Sequence, residues 1–239
     1  MMVAKITTPF QFKQFSVAHD KCAMKVNTDG VLLGAWQDVS DSKYILDIGT
    51  GTGVIALMMA QKNSHAIIDA IEIDEAAYIQ AKQNFSESKW TARINVFQSS
   101  LQDFSSSRKY DLIISNPPYF IDDFVSGNYR KNIAKHTISL TYEDLIIGIE
   151  RLMMDEGRAL LVIPAFNFEK IQALGSEQNL FVSRLTEVIA VQGKQPYLIL
   201  IQFGRKEIVV MKDSIKIQNL DGSFTKQYKE LTKDFYLKF

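Results

Sequence analysis

The chain has 239 residues, with 46% hydrophobic and 23% charged residues and 27 basic groups against 27 acidic ones. These values suit one sizeable α/β domain. They argue against a protein that coats long nucleic acid non-specifically, because neutralising phosphate normally demands a basic surface. One cysteine, Cys22, excludes an intrachain disulfide and fits a reducing compartment.

No opening apolar stretch reads as a secretory leader, and no run of eighteen apolar residues reads as a membrane span. A cytoplasmic location is therefore expected. Net neutrality leaves room for local basic patches: Lys5, Lys13, Lys21 and Lys25; Arg130, Lys131, Lys135 and His136; and Lys226, Lys229, Lys233 and Lys238. The last group also reads as an ordinary solvated face.

From Tyr44 onward, strand and helix patterns alternate as in a wound α/β sheet. Strands are expected over 44–49, 66–74, 93–99, 110–115 and 158–164. Helices are expected over 53–63, 75–88, 141–157 and 166–179, the third closed by Gly157. Two more strands, 183–192 and 196–205, are separated by a hairpin-length "GKQ". The expected fold is thus Rossmann-like: a seven-stranded, mainly parallel sheet ending in an antiparallel hairpin, with helices on both faces. One domain is expected over 1–239, with an N-terminal segment (1–43), a core (44–205) and a C-terminal extension (206–239).

The turn after the first strand reads "LDIGTGTGVIAL" (46–57). Gly49, Gly51 and Gly53 permit a tight turn and close approach of a ligand to the backbone. The dinucleotide pattern would require glycine at Val54, and no Gly-Lys-Ser/Thr follows for a phosphate loop. Asp47 would repel a phosphate and suits a cationic or hydroxyl-rich ligand. Glu72, ending the second strand, is placed to accept hydrogen bonds from both ribose hydroxyls.

"SNPPYF" (115–120) stands at the carboxyl end of the fourth strand, the edge where open α/β sheets place ligands. The Asn116 side-chain oxygen and Pro117 carbonyl can accept hydrogen bonds from an NH₂ group conjugated to a ring. Such bonds orient the group and favour its more tetrahedral, nucleophilic form. The prolines stiffen the loop, and Tyr119, with Phe120 beside it, offers a ring face for stacking.

The glycine turn, Asp47 and Glu72 resemble the class I S-adenosylmethionine-dependent methyltransferases. "NPPY" (116–119) resembles the motif of those acting on planar nitrogens: adenine N6, cytosine N4, guanine N2 or a glutamine amide. "FQFKQFSVAHDKCAMKVNTDGVLLGAW" (10–36), "AKHTISLTYEDL" (134–145) and "YKELTKDFYLKF" (228–239) resemble the bacterial tRNA(Val) adenine-N6 methyltransferases. That resemblance spans nearly the whole chain. It implies S-adenosylmethionine as cofactor and tRNA, specifically tRNA(Val), as partner, with the adenine beside the anticodon as target. Asp47 then lies near the cofactor's amino-acid end and Glu72 on its ribose. Ser100 and Leu101 fall where the adenine is contacted, Asn116 borders the same site, and Lys25, Thr28 and Asp29 belong to a segment folding over the methionine end.

Catalysis falls to Asn116, Pro117 and Tyr119, and substrate binding to Tyr119, Phe120, Arg130, Lys131 and Lys135. Thr28 and Asp29 also read as a helix N-cap. His19, His65 and His136 lack ligand spacing, so no metal is expected. A monomer is expected. Another planar nitrogen as acceptor, or a cofactor-binding module without turnover, remain the alternatives at this level.

Overall fold

The computed structural model describes residues 8–119 and 140–238. A two-stranded ribbon, β1 (Phe10–Gln11) and β2 (Ser16–Val17), precedes helix α1 (Thr28–Trp36). The alternating core follows: β3 (Tyr44–Ile48), α2 (Val54–Lys62), β4 (Ile67–Glu72), α3 (Glu75–Ser86), β5 (Ile94–Gln98) and β6 (Tyr110–Ser115). After the undescribed stretch come α4 (Tyr142–Leu152), β7 (Met153–Pro164), α5 (Phe168–Glu177), β8 (Phe181–Val191), β9 (Leu198–Gly204), β10 (Met211–Gln218) and α6 (Lys226–Thr232).

The main sheet has the order β10-β8-β9-β7-β6-β3-β4-β5. Among the described strands of this sheet, only β9 runs against its neighbours, and every other pairing is parallel. Parallel strands covered on both faces must be apolar on both, and the alternation is visible residue by residue. Leu112, Ile114, Leu160 and Val162 face one core beneath α1 and α2, whereas Ile113, Leu161 and Ile163 face the other beneath α4 and α5. The order reverses direction beside β3, and the carboxyl ends of β3, β4 and β6 meet there, which fixes where a ligand can lie.

Three expectations need correction. Among the described residues the sheet has eight strands, because β10 adds to β8 in what reads as a C-terminal loop. Its sequence, "MKDSIKIQ", buries only Ile215 and Ile217, too little apolar pattern to separate an edge strand from a loop. Its outer edge is covered rather than bare: Gln227 Nε2 donates to Ser214 O (2.7 Å) and Thr225 N to Ile217 O (2.9 Å).

The expected helix 141–157 stops at Leu152. The residues Met153 to Gly157 belong to β7 and accommodate a register slip between Tyr110 and Leu112. Gly157 serves packing rather than a helix cap, since a Cβ there would sit 2.7 Å from Met153 Cγ and 3.0 Å from Tyr110 O. The helix start is as a capping box requires, with Thr141 and Asp144 bonding reciprocally.

The N-cap of α1 is Asn27, not Thr28 or Asp29. Its backbone is extended and its Oδ1 accepts from Gly30 N at 2.9 Å. At the other end of α1, half-buried Lys62 donates to the carbonyls of Gly34 (3.2 Å), Ala35 (3.0 Å) and Gln37. Burial pulls this ammonium down to about 8.

The two ends of the chain form one aromatic cluster. Phe12 bridges Tyr236 in antiparallel fashion, with rings 6.0 Å apart, and stacks on Phe15 at 4.5 Å. The N-terminal and C-terminal stretches that carried the sequence resemblance therefore pack on each other.

Candidate active site

The glycine turn between β3 and α2 follows from three left-handed glycines, Gly49 (φ 68°), Gly51 (φ 55°) and Gly53 (φ 82°). Their reasons differ. A Cβ on Gly49 or Gly51 would meet nothing within 4 Å, so these two open onto free space. A Cβ on Gly53 would lie 2.4 Å from the Phe85 ring, so Gly53 is there to let α3 approach. Two substitutions separate these roles. Gly53→Ala is expected to lower unfolding free energy by about 2–4 kcal/mol, from backbone strain plus overpacking. Gly51→Ala should cost about 1–2 kcal/mol while placing its methyl in the ligand space. Urea denaturation of both variants measures the difference.

Asp47, one residue before the end of β3, is fully buried. Its Oδ2 accepts from Thr50 Oγ1 at 2.5 Å, and its Oδ1 has no partner among the described residues. Burial pushes the carboxyl up to about 7, against the opposing pull of the Thr50 bond. Glu72 ends β4, also buried, with Oε2 accepting from Gly51 N and Oε1 from Asp74 N, each at 2.9 Å. Burial raises it too, and the backbone N–H groups counteract. Glu72 is thus locked to the glycine turn with lone pairs still available to hydroxyl donors. Asp74 is the N-cap of α3, accepting from Ala77 N at 2.8 Å.

Asn116 leaves the end of β6 beside the first turn of α1: a Cβ built on Gly30 would be 3.7 Å from Asn116 Nδ2. The Asn116 Oδ1 is buried and has no partner among the described residues. Pro117 is buried and Pro118 exposed. Tyr119 folds back so that its hydroxyl donates to Asp29 Oδ2 at 2.7 Å. Burial raises Asp29, and the Tyr119 bond opposes it; burial also lifts the Tyr119 hydroxyl, with Asp29 adding to the rise. A double-mutant cycle of Tyr119→Phe and Asp29→Asn should show a coupling of about 1–3 kcal/mol in denaturant unfolding, the range of a half-buried bond to a charged group. Additive effects would show that the pair is not a unit.

The structure brings Asp47, Gly49, Gly51, Glu72, Asn116, Pro117, Tyr119 and Asp29 to one sheet edge. Asp29 turns to Tyr119, joining the helix before the sheet to the acceptor loop. Thr28 is half-buried in the same first turn, and Lys25 is exposed just before it. Ser100 donates to Asp103 Oδ2 (2.7 Å) and accepts from Asp103 N (3.0 Å), so a carboxylate neighbours it. The Leu101 side chain points under α4, where a Cβ on Gly148 would meet it at 2.5 Å. Only its backbone is left to face a ligand. Phe120, Arg130, Lys131 and Lys135, with His136, lie outside the described residues. Sequence reading missed Thr50, which holds Asp47, and Gln80 and Asn84, two polar residues inside the apolar stripe of α3.

Cys22 is free and buried, its thiol pushed up to about 12 chiefly by burial and then by Glu72, so it is a slow nucleophile. No group of three His, Cys, Asp or Glu residues able to hold a metal occurs among the described residues.

Open space over Gly49 and Gly51, an acidic oxygen at Asp47 without a partner among the described residues and a buried carboxylate at Glu72 fit a ligand with an ammonium group and a nucleoside. Together with the sheet order, these features define a class I S-adenosylmethionine-dependent methyltransferase. Residues 25–147 match the model of the Methyltransferase small domain family. Among solved structures, a predicted O-methyltransferase from Agrobacterium tumefaciens superposes with a TM-score of 0.68 at 18% identity, over 87% of this chain and 96% of that one. The ribosomal protein L11 methylase of Lactobacillus delbrueckii subsp. bulgaricus gives 0.53 at 18% identity, over 74% and 77%. These two likenesses establish the fold.

The chain belongs to the tRNA1(Val) (adenine(37)-N6)-methyltransferase family. The Bacteroides thetaiotaomicron member is 44% identical over 95% of this chain and 97% of its own length. That of Photorhabdus laumondii is 42% identical, covering 96% of each chain. The cofactor of this enzyme is S-adenosylmethionine.

Proposed function

We propose that the protein methylates the exocyclic N6 amine of the adenine at position 37, beside the anticodon of tRNA1(Val). Near-full-length identity to relatives bearing that name carries the choice of RNA. The orphaned Asn116 oxygen carries the choice of atom.

When bound, the cofactor supplies an electrophilic methyl group on a sulfonium, which needs no metal to be transferred. The chain's residues do the rest. Asp47 faces the ammonium of the amino-acid end, while Glu72 takes the ribose hydroxyls. The lid residues Lys25 and Thr28 border the methionine end, and the Ser100–Leu101 backbone borders the base. At the acceptor side, Asn116 Oδ1 and Pro117 O each take one hydrogen of the amine. This holds the nitrogen lone pair toward the methyl and away from the ring π system. Neither oxygen is basic enough to remove the proton in the ground state. The methyl would pass from sulfur to nitrogen, leaving a neutral thioether, and the amine proton, made acidic by that transfer, would pass to solvent. Tyr119, with Phe120, stacks on the base, and Arg130, Lys131 and Lys135 contact RNA phosphates.

We propose also that the chain acts as a single domain and a monomer in the cytoplasm. In support, the aromatic cluster ties both ends to one core, α6 bonds to the β10 edge, and no described helix is long and apolar enough to cross a membrane.

The decisive experiment supplies labelled methyl donor with tRNA, ribosomal RNA, DNA and release factor, followed by nucleoside mass spectrometry. N6-methyladenosine next to the anticodon is the expected product. Label confined to guanosine, to DNA or to protein would overturn the assignment, and cofactor binding with no label anywhere would leave a module without turnover.

A further inference from the structure

Gln80 and Asn84 are the most conspicuous polar groups outside the reacting centre, 0% and 2% exposed on the face of α3 that also carries Ala77, Ala81 and Phe85. Burying amides on an apolar stripe costs free energy unless their atoms are bonded. Asn84 is bonded entirely to backbone. Its Oδ1 accepts from Ala18 N (3.0 Å), and its Nδ2 donates to Ala18 O (2.9 Å) and to Thr52 O (2.8 Å). One amide therefore ties the N-terminal segment to the glycine turn, across 66 and 32 residues of sequence. A turn earlier, Gln80 Oε1 accepts from Lys21 N at 3.0 Å, and exposed Gln83 accepts from Lys21 Nζ at 3.2 Å.

The segment so fastened ends at Cys22, which is buried. Its thiol feels Glu72, Asp74 and Asp20 as nearby negative charges. Thr52 follows Gly51, whose N–H donates to Glu72 Oε2 at 2.9 Å, so the Asn84 bonds to Ala18 and Thr52 bring the strap to the glycine turn that holds Glu72. Phe85, next to Asn84, is the ring that Gly53 admits. The same face of α3 therefore sets both the turn and the strap.

We infer that Asn84 and Gln80 are positioning residues of the cofactor site: they hold the Ala18–Cys22 strap against Thr52 and beside Glu72, so that the strap closes the ribose side of the pocket. The inference rests on the assignment of S-adenosylmethionine to that pocket. A strap of this kind explains why polar side chains occupy a stripe that apolar ones would fill more cheaply. Their bonds go to main-chain atoms of a segment with little core of its own.

Cys22 is the chain's one cysteine, so its alkylation reports on the strap alone. In the wild type, iodoacetamide should react slowly and more slowly still with S-adenosylhomocysteine bound. Asn84→Ala should speed alkylation about tenfold and weaken S-adenosylhomocysteine binding by calorimetry about tenfold, the scale of one or two lost hydrogen bonds. Binding of tRNA without cofactor should not change. Asn84→Asp keeps the acceptor for Ala18 N but loses both donor bonds, and should follow the alanine variant. Gln80→Met keeps volume while removing the acceptor for Lys21 N, and should show the same two effects at about threefold. Thermal melts identify any variant that fails to fold; if Asn84→Ala is one, Gln80→Met decides. Unchanged S-adenosylhomocysteine affinity in the folded variants overturns the inference, even if alkylation accelerates, because the strap is then structural only. A wild-type protein that does not bind S-adenosylhomocysteine would reject the cofactor assignment instead.

Discussion

Asn116→Ala is expected to lower the rate of methyl transfer by about 10²–10³-fold, the loss typical of one preorganised hydrogen-bonding group at a reacting centre, while S-adenosylhomocysteine still binds. The residue sits at a strand end, next to Ser115, whose hydroxyl donates to Ile48 O at 2.8 Å and fixes the exit direction of the chain. Its Oδ1 is buried without a partner. In a protein interior such an oxygen costs free energy, and a fold retains it where the bond it lacks is made to something else. The effect should fall on turnover more than on tRNA KM, because the bond strengthens as the nitrogen pyramidalises and gains positive charge. Asn116→Asp offers a further check. A carboxylate keeps an acceptor for the amine, so it should retain more activity than alanine. Single-turnover kinetics with nucleoside detection measures both. An alanine enzyme within a few-fold of wild type would sink the amine-orienting role of Asn116.

How much was legible in the sequence follows from which forces fix each part. Buried parallel strands are apolar on both faces, so "YILDI", "YDLIIS" and "RALLVIP" stand out without a structure. Element β10 does not, because an edge strand with two buried isoleucines owes its place to the pairing with β8 and the bonds from α6. The end of α4 was misplaced because "MMDEG" carries a glycine in a helix-stop position. That glycine instead answers a register slip against Tyr110 that only tertiary pairing creates.

Within the site, the residues proposed to face the ligand are nominated by chemistry alone: glycines that open space, acids at or near strand ends, an amide before prolines. The residues that hold them are not. Thr50 on Asp47, Asp29 on Tyr119 and Asn84 on Ala18 are contacts across 3, 90 and 66 residues. Only the first has a local sequence spacing that could have hinted at it. For Asn84 and Gln80 the hint was present but negative: two amides where the helix periodicity calls for apolar side chains.

Asp47 yields the second large effect, and it runs in opposite directions for stability and for binding. Its carboxyl is fully buried and raised to about 7 in the folded protein, against an ordinary value near 4 in the unfolded chain. Between those values the unfolded state has released the proton and the folded state has kept it. Stability of the cofactor-free protein therefore falls as pH rises from about 4 to about 7, by on the order of a few kcal/mol from this group. Asp47→Asn removes the buried charge, keeps an acceptor for Thr50, and should raise the melting temperature of the cofactor-free protein at pH 8 by several degrees. At pH 5, where the folded carboxyl is still protonated and only the part of the penalty between about pH 4 and pH 5 has accrued, the same substitution should raise it by a smaller amount. Cofactor affinity should move the other way. In the proposed site the ionised carboxylate pairs with the ammonium, so Asp47→Asn should weaken S-adenosylmethionine binding at pH 8 by about 10²-fold, as expected when one member of a desolvated charge pair is lost. In the wild type, affinity should decline as pH drops through 7 and the carboxylate is neutralised. Calorimetric titrations and thermal melts at pH 5 and pH 8 test all four quantities. A variant that is both less stable at pH 8 and unimpaired in binding would show that the buried acid serves the fold and not the ligand; the expected trade places the cost of Asp47 in the empty protein and its return in the bound one.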